Sequence, residues 1–280
     1  MGLLQRILPK KIKPASKKLG FFLKSKIYTY SRVFFKLEKK PIFILGNQKS
    51  GTSAIANILA KAVNQSSSID LFLSGYKYDY LLDWKKNNIS TEKFIKLNRI
   101  DFSKKIIKEP HLSVFYEELV SYYPKSKFVF IVRNPLDNIR SILDRLKING
   151  SQKFIENNSS KIFHSWELVF RTDWLGGKES NLIEVLSERW KIIAKIFLEN
   201  KQNIILVKYE DFTKNKVKVI NELAKKLNLT VSRDVKKILD YQFQPKGKNR
   251  NTNLEKFFGK ENYNKIIKIC SSELKQLGYH

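Results

Sequence analysis

Five short segments of this chain hold residues whose types and spacing could do chemistry. In the first, Gly46-Asn47-Gln48-Lys49-Ser50-Gly51-Thr52-Ser53 joins an apolar run, Ile42 to Leu45, to a helical pattern. A strand that passes through a polar loop into a helix aims backbone N–H groups and a positive helix end at one spot, and such a spot holds phosphate or a similar anion. The loop is near a Walker A sequence, G-x-x-x-x-G-K-[ST], but departs from it. Gly46 and Gly51 keep the spacing, Thr52 stands where the lysine belongs, and Lys49 comes two residues before the second glycine. Lys49 therefore belongs to the loop itself, at the terminal end of an anion shorter than a triphosphate. A kinase-like loop or a purely structural glycine turn is the alternative.

The second segment runs from Phe128 through Arg133, Asn134 and Pro135 to Ser141. A buried strand ending at Arg133, with Pro135 in the first turn of a helix, projects the guanidinium from the carboxyl end of the strand. Ser141, two helical turns on, returns to the same side. A guanidinium fork suits phosphate oxygens, although an arginine at a strand end also serves as a cap or a carboxylate partner. The third segment, Ile106-Ile107-Lys108-Glu109-Pro110-His111, offers a cation and two candidate bases, Glu109 and His111. His111 reads equally as a residue at a helix start with its hydrogen bonds satisfied. Further on, Tyr209-Glu210-Asp211-Phe212 follows an apolar run. Tyr209 is a candidate for binding or for the core, and Glu210 and Asp211 are candidates for helix caps. Last comes Phe243-Gln244-Pro245-Lys246-Gly247-Lys248, a basic loop.

Lys49-Ser50-Gly51-Thr52-Ser53 resembles the 5′-phosphosulfate loop of the sulfotransferases, and Arg133-Asn134-Pro135 with Ser141 resembles their 3′-phosphate segment. That family moves a sulfuryl group from 3′-phosphoadenosine 5′-phosphosulfate (PAPS) to an acceptor hydroxyl. The resemblance implies that Gln48, Lys49, Ser50, Gly51, Thr52 and Ser53 hold the 5′ end of the donor, with Lys49 on the bridging oxygen. It implies that Arg133 and Ser141 hold the 3′-phosphate, that Tyr209 lies near the adenine, and that Lys246 and Gly247 close over the nucleotide. Lys108 would neutralise the sulfuryl oxygens, with Glu109 or His111 as base and no metal required. Three departures stand out. Cytosolic members place His two residues after the catalytic Lys, where this chain has Pro110. They often place Trp where Ala54 stands, and Arg where Pro245 stands. The chain looks more like the bacterial carbohydrate-type members, which implies a carbohydrate or glycolipid acceptor.

The elements expected to position these residues are strands at Ile42–Gly46, Lys104–Lys108, Phe128–Val132 and Asn203–Val207. Helices are expected at Thr52–Val63, Leu112–Tyr122, Pro135–Leu146 and Lys214–Leu227. Short continuous apolar runs alternating with helical patterns predict an α/β fold, a central parallel sheet with helices on both faces. Its ligand edge lies at the carboxyl ends of the strands. With the resemblance this is the P-loop-like sulfotransferase fold. One domain is expected over residues 41–280, with a helical insert at about 147–190 that interrupts the alternation. Insert aromatics such as Phe163, Trp166, Phe170 and Trp174 suit a sugar face, a lipid or a stacked core.

Residues 1–40 form a basic extension in which apolar residues recur at helical spacing from Leu19 to Leu37. It reads as an amphipathic helix packed on the domain or as an attachment to an anionic membrane surface. The chain carries 54 Lys and Arg against 26 Asp and Glu, a formal net charge of +28. So strong a field favours anionic partners, but no zinc spacing or nucleic-acid motif accompanies it, so nucleic acid is not expected as a specific partner. A P-loop kinase-like phosphotransferase and a non-catalytic polyanion binder remain as other readings. A single cysteine, Cys270, excludes an internal disulfide framework. It lies in an apolar helical pattern and fits a reducing compartment. With no apolar run of about 18 residues, no membrane span is expected. A cytoplasmic protein with peripheral membrane contact is the expectation.

Overall fold

The computed structural model describes residues 26–73, 79–152, 164–178, 181–239, 241 and 252–279. Five parallel strands form one sheet: β1 (Ile42–Gly46), β2 (Ser67–Ile69), β3 (Ile106–Lys108), β4 (Lys127–Val132) and β5 (Ile204–Lys208). Their order across the sheet is β2-β3-β1-β4-β5. After β1 the chain fills one side of the sheet with β2 and β3, then crosses to the other side with β4 and β5. The carboxyl ends of β1 and β4 therefore flank the point where strand order reverses, the place where open α/β sheets bind ligands. Register sets Ile44 of β1 opposite both Lys108 of β3 and Val129 of β4.

Alternation along the strands explains their unbroken apolar runs. Phe43 and Leu45 of β1, with Phe128 and Phe130 of β4, enter one core layer. That layer also takes the apolar faces of α3 (Pro135–Leu146), α4 (Leu182–Glu199) and α7 (Lys260–Gln276). Ile42 and Ile44, with Val129 and Ile131, enter the opposite layer beneath α1 (Thr52–Ala62) and α6 (Lys216–Lys226). Both faces of the sheet are thus covered, as parallel sheets require.

Several elements differ from the sequence expectation, three of them near the site. β2 was not expected: it is a three-residue edge strand, Ser67-Ser68-Ile69, with no apolar run to announce it, and it exists through its pairing with β3. The segment expected as a helix from Leu112 begins earlier, as a 3₁₀ turn over Pro110–Phe115, and becomes α2 only at Tyr116–Tyr122. Glu109 accepts a hydrogen bond from the N–H of His111, and Pro110 sits in the first turn, so the tight start is set before the apolar pattern begins. The helix expected from Lys214 to Leu227 is two, α5 (Tyr209–Lys214) and α6, separated where the Asn215 side chain caps the N–H of Lys218.

Cys270 is fully buried in α7, its Sγ 3.7 Å from the carbonyl of Ser187 in α4. Burial pushes its thiol well above the ordinary range, the state of an inert core cysteine. Of the insert aromatics, Trp174 is buried and donates to the carbonyls of Leu168 and Arg171, while Trp166 and Phe170 lie partly buried against the same core layer. Phe163, Lys246, Gly247 and the first 25 residues fall outside the described residues. No helix among the described residues is long and apolar enough to cross a membrane.

Candidate active site

The loop after β1 is a buried cradle. Gln48, Ser50, Thr52 and Ser53 are each under a tenth exposed. Gly51 caps α1 in the left-handed region, φ 88°. A Cβ built there would stand 2.3 Å from the Tyr209 ring, so only glycine fits. Lys49 also takes positive φ, 65°. The N–H groups in the first turn of a helix have no partner within it, and those of α1 face the cradle with the positive end of the helix behind them.

Both other sequence segments are bonded to this loop. From α3, the buried Asn138 donates to the carbonyl of Gln48 (2.8 Å) and to Ser50 Oγ (2.9 Å), and accepts from Asn47 Nδ2 (2.9 Å). From the end of β4, the Arg133 guanidinium leans over the loop. Its Nη1 donates to the carbonyl of Lys49 at 3.1 Å, and its centre lies 4.6 Å from the centre of the Tyr209 ring. Burial lowers the pKa of Arg133, opposed by Tyr209 and Asp137. Tyr209 is packed between Gly51 and Arg133, a wall of the loop. Ser141 lies half-buried on α3, where its hydroxyl makes no hydrogen bond among the described residues.

The segment after β3 closes the other side. The N–H of Gly46 donates to Ser113 Oγ at 2.9 Å. Gln48 Nε2 lies 3.2 Å from His111 Nε2. Arg189 of α4, fully buried, sends Nε and Nη2 to Gln48 Oε1 at 3.3 and 3.1 Å and Nη1 to the carbonyl of Leu168. That pairing orients the Gln48 amide, so its NH₂ faces the imidazole and His111 Nε2 acts as acceptor. His111 Nδ1 lies 3.4 Å from Arg189 Nη2. Burial brings Arg189 down to about 9, with Glu109 pulling it back up.

Glu109 is buried. Its two oxygens accept from the backbone N–H groups of His111 (3.0 Å) and Leu71 (3.2 Å). Burial first and the nearby Asp70 second push its carboxyl up to about 7, against the pull of Lys108. The Lys108 ammonium is paired with Asp70, the residue that follows β2. The Lys108 side chain is 2% exposed, whereas that of Asp70 is 54% exposed. Among Asp70, Glu109 and His111, only Asp70 presents its acid–base group to solvent.

Asp70, Asn138 and Arg189 escaped the sequence reading. Asp70 follows a strand too short to see. Asn138 and Arg189 did leave a signal, each being a polar residue set among the apolar positions of an amphipathic helix. No group of three or more His, Cys, Asp or Glu among the described residues is placed to hold a metal ion.

Fold and site together define an α/β protein with a buried glycine loop at the switch point of a parallel sheet and an arginine reaching it from the neighbouring strand. A family model described as "Sulfotransferase domain" matches residues 39–274. The chain belongs to the sulfotransferase family. No curated protein matches it significantly. Among solved structures, it is similar to sulfotransferase STF9 from Mycobacterium avium, at 11% identity with a TM-score of 0.54 over 94% of this chain and 83% of that one. Mouse sulfotransferase SULT7A1 complexed with PAP is 18% identical, with a TM-score of 0.48 over 88% of this chain and 89% of that one. A sulfotransferase from Alicyclobacillus acidocaldarius is 15% identical, with a TM-score of 0.46 over 84% and 97%.

Proposed function

We propose that this enzyme transfers a sulfuryl group from PAPS to an acceptor hydroxyl on a carbohydrate or glycolipid. The carrying observation is that one loop, Gly46 to Gly51, is hydrogen-bonded both to the arginine-bearing segment after β4 and to the lysine-bearing segment after β3. The residues present fit the donor. Gln48 and Ser50 to Ser53 receive the 5′-phosphate on backbone N–H groups and hydroxyls, while Arg133 and Ser141 take the 3′-phosphate. Tyr209 bounds the nucleotide.

The acceptor oxygen attacks sulfur in line while the bond from sulfur to the bridging oxygen breaks, and that electron pair stays with the leaving phosphate. Lys49 stabilises the charge that grows on the bridging oxygen. Lys108 neutralises the sulfuryl oxygens. Catalysis of this kind is mostly positioning and electrostatic stabilisation, as in phosphoryl transfer. The proton of the acceptor goes to a carboxylate. Of the bases expected from sequence, Glu109 and His111 are both buried and engaged by neighbours. Asp70, exposed and paired with Lys108, fits that role best. Glu109 and His111 then position Lys108, Asp70 and the loop.

Residues 41–280 act as the catalytic domain, and the insert at about 147–190 walls the acceptor. A glycolipid acceptor sits at a membrane surface, so a cytoplasmic enzyme with peripheral contact to anionic lipid belongs to this reading. The test is thermal stabilisation by 3′-phosphoadenosine 5′-phosphate (PAP) compared with ATP–Mg²⁺ and AMP. A shift with PAP alone supports the donor. A larger shift with ATP–Mg²⁺ would favour a phosphotransferase.

A further inference from the structure

An apolar stripe at the start of the described chain has no partner among the described residues. Residues 26–31 are helical and run into a 3₁₀ turn, Arg32–Phe34. Ile27, Tyr30, Val33 and Phe34 recur at the spacing of one helix face. They are 51%, 74%, 64% and 85% exposed. The stripe is held in place by Tyr28, which is buried, stacks on Phe72 with ring centres 5.1 Å apart and donates to Asp101 Oδ2. Asp101 in turn accepts from Ser68 Oγ and from the N–H of Phe72. The outward face is therefore fixed to the fold beside the end of β2, two residues from Asp70.

Next to the stripe lies an open groove of about 480 Å³ lined by Arg32, Val33, Lys93, Lys96 and Arg99. Its one carboxylate, Glu92, is paired with Lys96 at 2.6 Å. Arg32, Lys93 and Arg99 have no carboxylate partner among the described residues. The charge extends along the sequence: Lys and Arg recur from Arg6 to Lys36, and no Asp or Glu precedes Glu38. Exposed Val and Phe beside a cationic groove match an anionic lipid bilayer in chemistry, and the preceding sequence is basic. The apolar side chains enter the boundary between headgroups and acyl chains, and the cations meet lipid phosphates.

We infer that the stripe Ile27–Tyr30–Val33–Phe34 and the groove beside it form a docking face for an anionic bilayer, set so that a lipid-linked acceptor arrives at the Asp70 edge of the site. The inference rests on the reading of a glycolipid acceptor and deepens it by naming the surface that meets the lipid. Salt weakens the electrostatic part of such binding and spares the apolar part.

The experiment is co-sedimentation of the full chain with phosphatidylcholine–phosphatidylserine vesicles and with phosphatidylcholine alone. It is repeated for the pairs Val33→Ser with Phe34→Ser and Lys93→Glu with Arg99→Glu. The unaltered protein is expected to partition onto the anionic vesicles, and each pair is expected to lower partitioning by about tenfold or more. Stabilisation by PAP is expected to be unchanged in both pairs, which shows that they fold and separates this test from the donor assignment. Either pair partitioning like the unaltered protein would overturn the proposal. So would self-association in the ultracentrifuge that Val33→Ser with Phe34→Ser abolishes, because a second copy would then cover the stripe.

Discussion

At the scale of single residues, activity turns on which cation and which carboxylate meet the reacting atoms. Lys49→Ala is expected to lower turnover by about a hundredfold to a thousandfold while PAP stabilisation falls much less. Equal loss of both in a titration and an assay would mean that Lys49 only binds. For the base, Asp70→Asn and Glu109→Gln make opposite predictions. Asp70→Asn should abolish turnover with the PAP shift intact. Glu109→Gln should keep measurable turnover and remove any limb of the rate–pH profile near pH 7, where the buried carboxyl titrates. Abolished turnover in Glu109→Gln, with Asp70→Asn active, would return the base to Glu109. The same group shapes stability. Its folded value, about 7, lies above its ordinary 4.5, so the native state holds the proton more tightly than the unfolded chain. That contribution is complete below pH 4.5 and is lost as pH rises to about 7. Denaturation from pH 4.5 to 7 should show a decline that Glu109→Gln flattens, on the order of 2–3 kcal/mol.

At the scale of elements, the loop keeps its shape because two neighbours grip it. Gly51→Ala would drive a methyl into the Tyr209 ring at a left-handed backbone position. Loss of PAP stabilisation is expected, with destabilisation of about 2 kcal/mol or more in urea unfolding. Asn138→Ala would strand three polar groups of the loop, at about 1–3 kcal/mol and with weaker PAP binding. The loop and the arginine segment were legible in the sequence because each couples an unbroken apolar strand to turn residues and a helix start, and local chemistry sets both. The sheet, its parallel sense and α1, α3, β1 and β4 followed from the same patterns. What escaped depends on partners distant in sequence. β2 is a strand only because β3 pairs with it. Asp70 matters only because Lys108 reaches it, and Arg189 touches Gln48 across 141 positions of chain. The break between α5 and α6 was missed because the apolar period runs through a cap at Asn215.

At the scale of the whole molecule, a topological switch point brings the ends of β1 and β4 side by side, and a net charge of +28 surrounds them. The field draws anions of many kinds, so charge alone gives little selectivity. In the proposed function, selectivity comes from the loop acting together with Arg133 and Ser141, and ligand binding to the native state reports it directly as stability. The decisive measurement is the thermal shift given by PAP and by AMP, for the unaltered protein and for Arg133→Ala. The unaltered protein should be stabilised by PAP by about 2.7 kcal/mol at a hundredfold excess over its dissociation constant, and far less by AMP at the same concentration. Arg133→Ala should bring the two ligands close together. Equal stabilisation by PAP and AMP in the unaltered protein, or a preference for PAP that survives without Arg133, would contradict the pairing of the loop with Arg133.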